Sequence, residues 1–151
     1  MEKQITIRFG PDQLLDEIDI RSVKGLVGLY FIYLVKLAIP YPIRPARLIY
    51  IGMSESKQNS IGNRLRDHTS GQSGNPGLTN YIRIQPARFT YLSHDFLNIL
   101  GECSPGEIEG IFLRGFCGTY GCHPICNNQS GIELASLVQF DKIHIDWEHF
   151  E

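Results

Sequence analysis

Gly28-Leu-Tyr-Phe-Ile-Tyr-Leu-Val35, joined through a connection carrying Pro40, Pro42 and Pro45 to Arg47-Leu-Ile-Tyr-Ile-Gly52, decides how the chain is read. Both runs are apolar and dense in aromatic and β-branched residues, which suit the pleated backbone of a strand. The prolines between them lack the N–H that a ladder requires, so they belong to the connection. The two runs then pair across it as a hairpin with an enlarged tip. The longest apolar stretch, residues 25–40, is interrupted by Lys36 and is too rich in strand formers to read as a membrane span.

Downstream, Ser60 to His68 places Ile61 and Leu65 four residues apart, with Arg64 and His68 as a neighbouring stripe. That spacing predicts a short amphipathic helix with Arg64 and His68 on one face. Ser70 to Gly77, rich in glycine and serine, reads as a flexible loop, and Arg88-Phe-Thr-Tyr-Leu92 as a third strand. Ser104-Pro-Gly-Glu107 is a helix start, with serine at the cap, proline at the first helical position and glutamate completing a capping box. This helix is expected to run to about Phe116, followed by an irregular connection from Cys117 to Asn128. A short helix near Ile132 to Phe140 and an extended tail from Lys142 to Trp147 close the chain.

Upstream, residues 4–9 alternate polar and apolar, as in a short strand. Pro11 to Ile20 places Leu14, Leu15 and Ile18 at helical spacing. The expected organisation is a strand-helix extension over residues 1–24 and one domain over 25–151. The fold class is α+β, a small three-stranded antiparallel sheet flanked by helices.

With 151 residues, 42% hydrophobic and 20% charged, the composition is that of one folded domain with a proper core. The amino terminus has no basic region leading into an apolar block, so a cytoplasmic location is the default expectation. In that compartment the four cysteines are reduced thiols or metal ligands rather than disulfides. Cys117, Cys122 and Cys126, with His123 between them and Cys103 upstream, collect zinc-type donors. Structural zinc ordinarily uses tighter paired spacing, and buried free thiols are the simpler reading. A net charge of −2 runs against a nucleic-acid partner, because phosphate contacts ordinarily leave a basic footprint.

The chemistry-bearing residues come in a fixed order: Gly28-Leu29-Tyr30, Tyr50-Ile51-Gly52, Arg64 with His68, Glu109 on a helix, and Asn127 in Pro124-Ile-Cys-Asn127. Over residues 25–128 this order resembles the GIY-YIG nuclease family, restriction-enzyme members included. Leu29 stands where the family name has isoleucine. Met53 stands where a lysine often follows, leaving Lys57 the nearest. Gly118 to His123 lengthens the interval from Glu109 to Asn127.

The resemblance implies a metal-dependent endonuclease that hydrolyses phosphodiester bonds, in DNA by family prevalence. Tyr30, Tyr50, Arg64, His68 and Asn127 would then be catalytic, and Glu109 would bind magnesium or manganese. Hydrolysis of a phosphodiester needs an oriented water and charge relief on the phosphoryl oxygens, which these residue types can supply. Arg64 offers a planar fork for phosphate. Tyr30 is the family's proposed general base or water-orienting group, assisted by Tyr50, and His68 could accept or steer a proton. Glu109 lies at the edge of the apolar stripe of Phe112, Leu113 and Phe116, where it needs a compensating partner. A salt-bridged or exposed acid is the alternative, and Glu107 the rival ligand.

Specificity would come from loops, a homo-oligomer or a partner chain. The reading from another class is a catalytically silent module of the same fold that binds nucleic acid or protein.

Overall fold

The computed structural model describes residues 4–101, 103–127 and 143–151. Its centre is the hairpin. Strand β3 (Gly28–Leu34) pairs antiparallel with β4 (Leu48–Ser54) on one side and with β5 (Ala87–Ser93) on the other. Every residue of β3 is buried, as a central strand covered on both faces must be. The expected third strand is β5, but the sheet has four strands in the order β2-β5-β3-β4, because the two-residue strand β2 (Gln13–Leu14) adds to the outer edge of β5. The architecture is α+β, with an antiparallel sheet and flanking helices.

The amino-terminal segment departs from its pattern. Strand β1 (Ile5–Ile7) pairs parallel with the tail strand β6 (Ile143–Ile145). The helix expected from Pro11 begins only at Glu17, as α1 (Glu17–Ser22), because Asp16 caps it by accepting from Asp19 N at 2.8 Å. The expected stripe of Leu14, Leu15 and Ile18 is therefore never formed, and Ile18 is 78% exposed. Ile7, Ile20 and Val23 of this segment join the main core.

Helix α2 (Ile61–Ser70) matches its predicted span. Ser60 accepts from Asn63 N, and left-handed Gly71 ends it. The segment read as a loop ends in a helix, α3 (Pro76–Ile84), capped by Asn75 with Pro76 in the first turn. After the four-residue helix α4 (His94–Leu97), α5 (Pro105–Tyr120) starts where Ser104 and Pro105 predict. It runs one turn beyond Phe116, to Gly121 at φ 98°. Burial drives that extra turn: Phe116 and Tyr120 stack at 4.4 Å, and Tyr41 meets Phe116 edge-on. The predicted helix at 132–140 and Asn128 lie outside the described residues.

Two layers cover the sheet. On one face Phe31 packs against Phe112 of α5 within a cluster that includes Phe9, Trp147 and Phe150. On the other, Tyr30 meets His68 of α2. No helix among the described residues is long and apolar enough to cross a membrane.

Candidate active site

The alternation of β3 and β4 sends Tyr30 and Tyr50 to the same face, where α2 lies, with ring centroids 6.0 Å apart. Tyr30 pairs directly with Gly52, and its ring fills the space a side chain there would need: a Cβ on Gly52 would stand 2.2 Å from Tyr30 Cζ. Gly28 is required for a different reason. Its φ of 149° is unfavourable to other residues, and a Cβ would stand 2.1 Å from the Leu92 carbonyl oxygen. Each glycine of the two triplets thus has a steric cause.

Arg64 and His68, one turn apart on α2, converge on the Tyr30 hydroxyl. Arg64 Nε donates to it at 3.2 Å, and it shares a 2.8 Å hydrogen bond with His68 Nε2. Tyr30 is fully buried and His68 is 2% exposed. Burial, reinforced by the Arg64 charge, lowers the His68 pKa to about 4, so the ring is neutral near pH 7. Its Nδ1 is buried without a hydrogen-bond partner among the described residues. Burial also raises the Tyr30 phenol well above its ordinary value, with Tyr50 adding to the rise and Arg64 opposing it.

In front of this layer lies a cleft of about 440 Å³ lined by Tyr50, Met53, Glu55, Arg64, Glu109 and Asn127, among others. Tyr30 and His68 do not line it. The predicted set therefore divides in two, with Tyr50, Arg64, Glu109 and Asn127 at the cleft and Tyr30 and His68 behind. The Tyr50 phenol is raised by burial, with Arg64 pulling it back.

Glu109 is half-buried, and loss of solvent raises its pKa to about 6, with Arg64 lowering it and Glu55 adding to the rise. Glu107 is exposed and does not line the cleft; its backbone N–H takes the Ser104 cap.

Asn127 is fully engaged by backbone. Its Oδ1 accepts from Ile51 N at 2.9 Å, and its Nδ2 donates to Ile51 O at 2.8 Å. One residue earlier, Cys126 N donates to Ile49 O at 2.9 Å. The Pro124–Asn127 segment thus covers the outer edge of β4, satisfying groups an edge strand leaves open. Asn75 ties this strap to the start of α3 by donating to Cys126 O at 2.9 Å. No sequence signal separates this role from a catalytic one.

No family model, curated protein or solved structure matches the chain. Its chemistry is therefore read from the cleft itself. Asn75, the cap of α3, and Gly106, in the first turn of α5, both line the cleft, so two helices begin at it. Helix N-termini favour anions, and here they stand beside one cation, Arg64, and two carboxylates, Glu55 and Glu109.

Glu109 has no hydrogen-bond or ion-pair partner among the described residues, and Glu55 is the second carboxylate of the cleft. Magnesium prefers hard oxygen donors and keeps several waters, so this arrangement fits such an ion. Among the described residues no three His, Cys, Asp or Glu side chains gather as a metal cage. Cys103, Cys117, Cys122 and Cys126 are free thiols.

Proposed function

We propose that the chain is a metal-dependent endonuclease of the GIY-YIG type, hydrolysing phosphodiester bonds in nucleic acid, with DNA as the favoured substrate by family prevalence. The observation that carries this reading is the meeting of Arg64, Tyr50 and the carboxylate of Glu109, unpartnered among the described residues, in one cleft, with Arg64 braced from behind by Tyr30.

Arg64 donates through Nε to Tyr30 and also hydrogen-bonds Tyr50, and its fork lines the cleft where phosphoryl oxygens would sit. Tyr30 and His68 are positioning residues in this scheme. They are closed to solvent and fix the height and angle at which Arg64 enters the cleft. Tyr50 reaches the substrate. With its phenol protonated near pH 7, it orients the attacking water and the phosphate by hydrogen bonding, while Arg64 is the neighbour that favours its phenolate. Glu109 would hold magnesium or manganese, which when bound supplies charge relief to the phosphoryl group. Asn127 keeps β4 in register, and with it Tyr50.

The test is cleavage of plasmid, single-stranded DNA and RNA with magnesium, for the wild type beside Arg64→Ala and Glu109→Gln. Loss of cleavage in both variants is expected. Cleavage indifferent to both overturns the mechanism, and a wild type that cuts none of the substrates favours the silent interaction module.

A further inference from the structure

We infer that the cleft between α1 and α2 is a docking track for the sugar-phosphate backbone of the nucleic-acid strand whose scissile phosphate lies at Arg64. This rests on the phosphodiesterase reading and deepens it by locating the rest of the substrate.

The cleft has a volume of about 770 Å³, and Arg21, Lys24, Asn63, Arg66 and Thr69 line it. All three cations are exposed, and none is ion-paired among the described residues. The two acids that line the cleft sit at the start of α1. Asp16 is occupied as its N-cap, and Glu17 lies in its first turn. Elsewhere Arg44 pairs with Glu151 at 3.3 Å, and Asp12 with His149. Three cations, unpaired among the described residues, against two acids leave a small positive excess on one cleft of an acidic chain.

The patch stands on a rigid frame. Ile61 N donates to Leu26 O at 2.8 Å and Gly62 N to Val23 O at 3.3 Å. A Cβ on Gly62 would stand 2.8 Å from the Lys24 backbone. The turn after α1 is therefore seated directly against α2, and its lysine is held in place by backbone contacts.

The track also joins the active cleft. Arg66 follows Arg64 by two residues, which puts the two arginines on opposite flanks of α2. Asn63 lines the cationic cleft and donates to Gln58 O, in the turn whose Asn59 lines the active cleft. The two clefts thus meet across the first turn of α2. A strand with its scissile phosphate at Arg64 passes over that turn and meets Lys24, Arg21 and Arg66. Continuity with a cleft suited to a phosphodiester favours a nucleic-acid strand over an acidic peptide as occupant.

Fluorescence anisotropy of labelled single- and double-stranded DNA, measured in EDTA across a salt series, tests the track. The comparison is between the full chain and Arg21→Gln/Lys24→Gln/Arg66→Gln. Three lost phosphate contacts lower the slope of log affinity against log salt by about 2 to 3 and weaken binding by roughly ten- to fifty-fold at 0.1 M salt. The single variant Arg66→Gln lowers the slope by about 1. Magnesium-dependent cleavage at saturating DNA is expected to stay within about twofold of wild type, because none of the three residues lines the active cleft.

A wild type that binds and cuts DNA while the triple variant keeps its affinity and slope overturns the track and leaves the nuclease reading standing. A wild type that binds DNA through these cations and cuts none of the substrates overturns the nuclease reading instead. Capture of polyglutamate through these residues without binding of DNA overturns the track in favour of a protein partner.

Discussion

Replacing Glu109 by glutamine is expected to stabilise the fold at neutral pH while abolishing activity. The folded-state pKa of Glu109 is about 6, against an ordinary value of 4.5, because burial removes solvent from the carboxylate. A raised carboxylate pKa means that the folded chain holds a proton the unfolded chain has already released. Stability therefore falls as pH rises from about 4.5 through about 6, and the penalty stays constant above that. The displacement corresponds to about 2 kcal/mol at 1.4 kcal/mol per tenfold, and water reaching a half-buried group reduces it to about 1 kcal/mol.

Glutamine keeps the shape and removes the charge, so Glu109→Gln should match the wild type near pH 4 and exceed it by about 1 kcal/mol at pH 7.5. Urea denaturation of both proteins at the two pH values measures the difference, and other titrating groups cancel in the comparison. Magnesium should raise the wild-type midpoint at pH 7.5 and leave the variant unmoved, since only the carboxylate form binds the ion. A variant less stable than wild type at pH 7.5 would refute the reasoning, because the carboxylate would then be held by favourable partners.

His68 should give the opposite pH dependence over nearly the same window. With its folded pKa at about 4, the unfolded chain takes up a proton first as pH falls below 6.5, so wild-type stability declines in acid. His68→Phe should flatten that decline by roughly 3 kcal/mol between pH 7 and pH 4, read by urea denaturation at each pH. Tyr30→Phe removes the acceptor of Arg64 Nε and the partner of His68 Nε2, costing about 1–3 kcal/mol. It should lower kcat more than it raises KM, because Arg64 loses its brace rather than its charge. Gly52→Ala should displace the Tyr30 ring and cost about 1–3 kcal/mol in thermal denaturation. Gly28→Ala, which meets backbone at a positive φ, should cost more.

The hairpin, α2 and the start of α5 were legible because each carries its cause locally: β-branched and aromatic runs, an i to i+4 stripe, a Ser-Pro cap. The end of α5 was not, because Tyr120 stays helical through contacts with Phe116 and the distant Tyr41, which no local pattern encodes. Helix α3 had a readable signal, Asn75-Pro76, masked by the glycines and serines before it. The start of α1 turned on which acid caps the helix, and Asp16 prevailed over the apolar spacing. At the site, the sequence placed Tyr30 and Tyr50 together, with Tyr30 in the leading role by resemblance and Tyr50 assisting. It could not rank them by depth, since depth depends on how α2 lies over the hairpin.

Under the proposed function, that ranking bears on how an acidic chain would address a polyanion. Charge and solvent access are concentrated in the front of the site, where Arg64 stands with the starts of α3 and α5 beside Glu109. Behind them the groups are neutral: a protonated phenol and an uncharged imidazole hold the arginine without competing for its charge. A carboxylate in the place of His68 would pair with Arg64 and cancel the field that a phosphate would feel under the proposed function. A neutral ring lets the guanidinium keep its full charge for the cleft. On the proposed reading, attraction to phosphate would depend on where a few cations stand and what they are braced against more than on the net charge of the whole chain.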